Sequence, residues 1–240
     1  MTRFRPSGCI FAVPFTHRPA VQLLREIWYL MQKDFRLEWR QRAALNGMLL
    51  YVGSTVFVCY LSFVRGGVLP APAWNALLWI ILLFTAVNAV AKSFLQESRG
   101  RLLYYYALVR PEAVILAKIA YNAVLLLGLG LVAFGAYSLV LGNPVQQPGR
   151  FTLVVALGAL GFASSLTLIS GIAAKAQNSN TLMPVLGFPV VIPILLQLIK
   201  AAKNALDGLD ASPQPLYMLL GLNLLVVAVS YLLYPFLWRT

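Results

Sequence analysis

Residue types that could carry catalysis are scarce in this chain of 240 residues. It has one histidine, His17, and two cysteines, Cys9 and Cys59. A single histidine excludes, within one chain, a histidine-based zinc site, serine–histidine catalysis and bis-histidine ligation of haem. The G-x-x-x-x-G-K-[ST] motif that cradles nucleotide phosphates is missing, so the chain cannot hydrolyse ATP by that route. We therefore expect no catalytic residue, no metal site and no covalently bound cofactor.

Acidic side chains are nearly as rare, and none lies within a long apolar run. The seven acids are Glu26, Asp34, Glu38, Glu97, Glu112, Asp207 and Asp210. Ionisable residues inside membrane spans usually mark proton or ion pathways, and an intramembrane aspartyl protease needs carboxylates at that depth. The sequence thus argues against both classes. Energy for any transport is expected to come from a partner protein.

The most distinctive charged stretch is "SFLQESRGRLLYYYALVRPEAVILAK", residues 93–118. Gly100 interrupts the chain, Arg101 to Val109 have the composition of a short helix, and Pro111 is a typical first residue of the next one. Three adjacent tyrosines, residues 104–106, suit the headgroup level of a membrane. Spacing alone leaves two interpretations open. The short helix could transmit a push from a soluble ATPase, or it could be an interfacial anchor.

The elements around this stretch are expected to be membrane helices. The chain is 60% hydrophobic and 11% charged, whereas soluble domains are about 45–50% apolar and about 25% charged. Roughly 20 apolar residues span the hydrocarbon layer as a helix, while barrel strands have only about 10. The sequence predicts an all-α polytopic protein with six spans near residues 46–64, 74–94, 112–140, 151–174, 182–200 and 216–238.

The positive charges predict the orientation of these spans. Of the 19 Lys and Arg residues, 15 fall on one side of the predicted topology; the others are Arg65, Arg150, Lys200 and Lys203. By the positive-inside rule, both termini and residues 93–118 face the cytoplasm. Because the net charge of +12 is spread along one membrane side, anionic lipid rather than nucleic acid is the expected partner.

The N-terminal part divides into two segments. Residues 1–20 contain three prolines. They are expected to be a disordered tail, or extra residues from a translation start assigned too far upstream, and not a cleaved signal peptide. Residues 21–43 predict an amphipathic helix in the cytoplasmic headgroup layer. Its apolar stripe is Leu24, Ile27, Trp28, Met31, Phe35 and Trp39. Glu38 falls near this stripe. The alternative for residues 21–43 is a helix packed on another subunit instead of on the membrane. Residues 44–240 form the predicted six-helix domain.

The fifth span differs from the others because it contains Pro184, Pro189 and Pro193. Pro184 is expected in the first turn, whereas Pro189 and Pro193 should bend or break the helix. The functional interpretation is a hinge or a pathway lining; a static kink is equally compatible with the sequence. Neutral polar residues such as Asn122 and Asn223 are expected to form interhelical hydrogen bonds.

Several of these segments resemble the CcmB family, the permease subunit of the ABC system for cytochrome c maturation. The resemblance covers residues 22–238 and includes "EWRQRAALNGMLLYVGSTVFVCYLSF" and "VLGFPVVIPILL". The most specific part of the resemblance is a spaced motif within residues 93–118, which consists of Phe94, Glu97, Gly100, Leu108, Pro111, Ala117 and Lys118. The expected site of coupling to an ATPase consists of these residues without Ala117, together with Arg101 and Tyr104.

The resemblance implies an ABC-2-like permease in the bacterial inner membrane. It implies an ATPase subunit resembling CcmA, which binds the ATP, membrane proteins resembling CcmC and CcmD, and a haem chaperone resembling CcmE. Haem is then a possible substrate, and six spans call for a second permease chain. Two alternatives remain open: a general exporter of lipid, drug or polysaccharide, and a membrane scaffold that moves nothing.

Overall fold

The computed structural model describes residues 20–40, 42–63, 69–95, 109–175, 179–208 and 213–239, and within these ranges it contains helices and no strand. The helices are α1 (Ala20–Arg40), α2 (Arg42–Phe63), α3 (Ala71–Leu95), α4 (Pro111–Leu141), α5 (Pro148–Lys175), α6 (Ser179–Asp207) and α7 (Gln214–Arg239). The expected all-α architecture is therefore confirmed. The tail that the sequence predicts for residues 1–20 lies outside the described residues except for Ala20.

Helices α2 to α7 are each long and apolar enough to cross a membrane. The candidate spans are 45–63, 71–90, 111–141, 148–174, 185–207 and 214–236, close to the six predicted ones. The longest is α4, whose 31 residues correspond to about 46 Å of helix. Since the hydrocarbon layer is about 30 Å thick, α4 is long enough to extend beyond it.

Helix α5 is the centre of the bundle. It packs against α3, α4, α6 and α7, and 72% of its span is buried, compared with 22% for α2. Glycines permit this close packing: a Cβ at Gly158 would lie 2.8 Å from the Trp79 ring, and one at Gly161 would lie 2.6 Å from Asn223 Oδ1. At Gly128, by contrast, nothing lies within 4 Å of the Cβ position, so that glycine is not needed for close packing within the described part of the chain.

Neutral polar side chains join the helices at several points. Asn122 Nδ2 donates to Thr167 Oγ1 at 2.8 Å between α4 and α5, and Asn223 Nδ2 of α7 donates to the Leu157 carbonyl at 2.9 Å. The expected interhelical role of these two asparagines is thus confirmed. By contrast, Ser230 donates to a carbonyl of its own helix, which satisfies the hydroxyl without joining two helices.

The proline-rich helix α6 differs from the expectation. It runs without interruption through Pro189 and Pro193, so of the predicted bend or break the break is not present. Its other backbone bonds evidently hold the helix together despite the missing donors. Because α6 begins at Ser179, Pro184 lies beyond the first turn. Both Pro189 and Pro193 are exposed on the outer side of the bundle.

The described contacts define two ends of the bundle. At one end, Trp74 Nε1 donates to the Gly142 carbonyl at 3.0 Å, and the Gln147 side chain donates to the Gly208 carbonyl at 3.2 Å. This end joins the start of α3, the end of α4, the start of α5 and the end of α6. The opposite end carries α1 and the start of α4, where the sequence predicts the coupling site.

Candidate functional site

The structure covers only part of the predicted coupling site. Glu97, Gly100, Arg101, Tyr104 and Leu108 lie outside the described residues, and so does most of the predicted short helix from 101 to 109. Phe94 belongs to α3, although its side chain is not described. Pro111 and Lys118 are described and lie on α4. The site is therefore built here from the first turns of α4 and the elements that contact them.

Helix α4 begins directly at the end of the predicted coupling segment. Arg110 is its N-cap residue, with extended backbone (φ −70°, ψ 140°), and Pro111 occupies the first turn. The amides of Ala113 and Val114 donate to the Arg110 carbonyl at 3.1 and 3.2 Å. Pro111 is buried and Glu112 adds a favourable negative charge to the first turn. The predicted start of this helix is confirmed, and no flexible joint separates it from residue 110.

Lys118 lies two turns further along α4 and contacts α1. Its Nζ atom is 3.9 Å from Oδ2 of Asp34, and its side chain is only 5% exposed. The same carboxylate is 3.0 Å from Nζ of Lys33, and the Asp34 side chain is 12% exposed. At 3.9 Å the Lys118–Asp34 contact is an ion pair rather than a hydrogen bond. The sequence places Lys118 among the cations at a loop, whereas the structure buries it.

The acids of α1 explain how this pair arises. Glu26, Asp34 and Glu38 are separated by eight and four residues, so they share one side of the helix, and all three are partly buried. The aromatic side chains of Trp28 and Phe35 are exposed instead, at 55% and 56%. Helix α1 thus turns its acidic side towards α4. The spacing of the acids is the sequence signal that could have identified this side of α1 as one that faces the protein.

An apolar cluster supports the ion pair and brings a third helix to the site. Ile115 and Ile119 of α4 pack with Tyr234 near the end of α7, and Leu30 of α1 packs against this group. Ile115 is completely buried. The first turns of α4 are therefore held by α1 on one side and by the end of α7 on another.

A groove runs between α1 and α4 beside the ion pair. Its volume is about 300 Å³, and it is lined by Trp28, Met31, Gln32, Phe35, Arg36, Tyr121 and Val124. The hydroxyl of Tyr121 is buried and has no hydrogen-bond partner among the described residues. Sequence reasoning did not single out Tyr121 or this groove, because its two walls come from segments far apart in the chain.

The side chains at this junction supply charge pairing, apolar packing and a surface for binding. Among the described residues, no cluster of three His, Cys, Asp or Glu side chains could hold a metal ion. The arrangement provides one buried ion pair, an apolar cluster and an open amphipathic groove, all beside the helix that follows the coupling segment.

Comparison with known proteins gives one family. The family model described as CcmB protein matches residues 25–237, which include most of α1, the residues of the α1–α4 junction and all six candidate spans. A search of curated proteins finds no match.

Proposed function

The chain belongs to the CcmB family, whose members are permease components of the ABC system for cytochrome c maturation, and we propose that it couples ATP hydrolysis by a separate ATPase to haem handling. Six helices that can span a membrane fit such a component. In this proposal the chain is a non-catalytic subunit. The ATPase binds and hydrolyses the ATP, and haem is the substrate of the assembly.

The observation that carries the proposal is the rigid connection from residue 110 to α1. Pro111 is buried in the first turn of α4, and Lys118 pairs with Asp34 two turns later. Because α4 begins at Pro111, a displacement of residues 96–110 acts directly on this helix. The ion pair and the apolar cluster then carry the movement to α1 and α7. A flexible loop would absorb the same displacement.

The partners follow from the family and remain part of the proposal. We expect an ATPase resembling CcmA to dock on residues 96–110, and proteins resembling CcmC, CcmD and the haem chaperone CcmE to complete the assembly. The inner membrane of a bacterium is the expected location, with both termini in the cytoplasm. The distribution of Lys and Arg supports that orientation.

The position of Pro189 and Pro193 bears on any transport path. Both are exposed on the outer side of α6, so a path that they line runs outside the six-helix bundle of one chain. We therefore place such a path between this chain and a second permease chain. Pro193→Cys, in a chain that lacks Cys9 and Cys59, should form a disulfide cross-link between two copies of the chain.

Val191→Cys, on the same helix, is the control for that experiment, and this variant should not cross-link. Val191 is 4% exposed, which keeps its side chain away from a second chain. Failure of the cysteine at 193 to cross-link in the assembled complex contradicts the proposed path. It leaves the ATPase coupling untouched.

The central experiment separates ATP hydrolysis from cytochrome c maturation. We expect Gly100→Leu and Pro111→Ala to leave ATPase activity in the purified complex while lowering the amount of c-type cytochromes in cells. Pro148→Ala is the matched control, because Pro148 also begins a spanning helix but lies at the opposite end of the bundle. Normal cytochrome levels with both coupling variants would contradict the proposal.

Two other functions predict different results. Normal c-type cytochromes after deletion of the gene would favour a general exporter of lipid, drug or polysaccharide. Normal maturation with a catalytically dead ATPase would favour a scaffold. Co-purification with identification of the bound subunits tests the partners independently of either outcome.

A further inference from the structure

The starting observation is the enclosed hydroxyl of Tyr121, a residue that lines the groove between α1 and α4. Tyr121 is 7% exposed, and its hydroxyl has no hydrogen-bond partner among the described residues. A buried hydroxyl without a partner is destabilising, and most buried polar groups in proteins have a partner. Because Tyr121 also lines an open groove, a bound molecule that shifts the side chains around the hydroxyl can supply that partner.

The size and lining of the groove limit what this molecule can be. At about 300 Å³, the groove is at the lower end of the range for small-molecule sites. Apart from Gln32, Arg36 and the Tyr121 hydroxyl, its lining is apolar. Val124 is 56% exposed and Trp28 is 55% exposed, so both walls of the groove are accessible from outside the chain. These features suit one hydrocarbon chain arriving from the bilayer.

The positive charge at the groove indicates which headgroup the bound molecule carries. Arg36 forms no ion pair with another described residue, and a guanidinium binds phosphate oxygens through two parallel hydrogen bonds. Tyr121 is ten residues into α4, about 15 Å from its first residue. Because α4 is longer than the hydrocarbon layer is thick, this depth corresponds to the region just below the headgroups.

We propose that the groove binds an anionic phospholipid, with one acyl chain along Trp28, Phe35 and Val124 and the phosphate at Arg36. The Tyr121 hydroxyl donates to an ester or phosphate oxygen of the same lipid. The lipid thereby fills the space between α1 and α4 and steadies the junction that includes the Lys118–Asp34 pair. This inference concerns lipid binding and does not depend on the proposed transport function.

The test measures lipid retention by the purified full chain with native mass spectrometry. Phosphatidylglycerol and phosphatidylcholine with identical acyl chains are the two probes. Arg36→Gln should weaken phosphatidylglycerol binding about fivefold, since one cation near an anionic headgroup contributes about 1 kcal/mol. Arg25→Gln is the matched control, because Arg25 is an exposed cation on the same side of α1 that does not line the groove.

Two further variants test the hydroxyl and the hydrocarbon wall. Tyr121→Phe should weaken phosphatidylglycerol binding about two- to tenfold, the range expected for one hydrogen bond. If Tyr121 had only a packing role, this variant would leave lipid binding unchanged. Val124→Trp should fill the groove and remove the tightly retained lipid, whereas Val132→Trp should not, because Val132 is similarly exposed (53%) but lies outside the groove.

Three results would overturn the assignment. The first is equal retention of both lipids, and the second is an equal effect of Arg36→Gln and Arg25→Gln. The third is displacement of the lipid by glycerol phosphate at similar concentration, which would show that the acyl chain contributes nothing. A separate experiment adds haem to the purified chain. If Val124→Trp abolishes haem binding but leaves lipid retention unchanged, haem and not lipid occupies the groove.

Discussion

Removing one member of the Lys118–Asp34 pair should have different consequences for the two residues. Asp34→Asn leaves the Lys118 ammonium group, 5% exposed, without its carboxylate. Lys118→Met leaves a carboxylate that is 12% exposed and still pairs with Lys33 at 3.0 Å. The carboxylate therefore keeps a partner in one variant, while the buried ammonium loses one in the other.

The magnitudes follow from the distance and the burial. At 3.9 Å the attraction is about 4 kcal/mol for an effective dielectric constant of about 20. Loss of one partner from a buried pair typically costs about 3–5 kcal/mol, and loss of an exposed pair costs at most about 1 kcal/mol. We expect Asp34→Asn to lower the free energy of unfolding by about 3 kcal/mol, and Lys118→Met by about 1 kcal/mol.

The double variant provides the sharpest comparison. With both charges absent, the buried ammonium group is removed together with the carboxylate that faces it, so the loss should be about 1 kcal/mol rather than the sum of the two single losses. The melting temperature of the detergent-solubilised chain measures this. The shift should be about 6–12 °C for Asp34→Asn and about 2–4 °C for the other two proteins.

A surface control completes the set, and two outcomes would refute the reasoning. Lys33→Met removes a 30% exposed cation that contacts the same carboxylate and should cost no more than about 1 kcal/mol. If Lys118→Met destabilises the chain as much as Asp34→Asn does, the asymmetry is wrong. If the double variant loses the sum of the single effects, the two residues do not interact.

Two further predictions concern the packing of the spans. Gly161→Ala should destabilise the chain by about 1–3 kcal/mol, because the new Cβ would lie 2.6 Å from Asn223 Oδ1; Gly128→Ala, with nothing within 4 Å, should be neutral in the same melting assay. Asn122→Leu should cost about 0.6–2 kcal/mol, because it removes the 2.8 Å bond to Thr167, and Thr167→Val in the same chain should add little more.

Specific results would contradict these two predictions. Equal melting temperatures for the Gly161 and Gly128 variants would show that α5 and α7 are not packed as closely as the structure has them. Additive losses for the Asn122 and Thr167 variants would show that their hydrogen bond contributes nothing to stability. Both comparisons use the same full chain, so differences in detergent cancel.

Local sequence rules predicted the helices well, with one exception in α6. The six spans follow from apolar runs, because every backbone polar group in lipid must be paired within its own helix. Pro111 marks the start of α4 for an equally local reason, since proline fits the first turn. Of the bend or break expected at Pro189 and Pro193, the break is absent, because a missing donor removes single bonds while the other backbone bonds of α6 remain.

The candidate site was predicted less completely than the elements. Charge counting treats Lys118 as one more cation beside a loop, and it gives no information about Asp34 on another helix. The acidic side of α1 was visible in the spacing of Glu26, Asp34 and Glu38, yet its partner was not. The Tyr121 groove could not be predicted, since neither of its walls forms a recognisable pattern alone.

The sequence by itself determined that this chain is a six-span helical protein with no histidine-based or phosphate-cradling chemistry, and it carried the resemblance to the CcmB family. These properties depend on composition and on spacing along one segment. Only the tertiary structure decided that α5 is the central helix, that α1 turns its acids towards Lys118, and that an open groove lies beside Tyr121. Those features depend on which sides of separate helices meet, and that is set by packing over the whole chain.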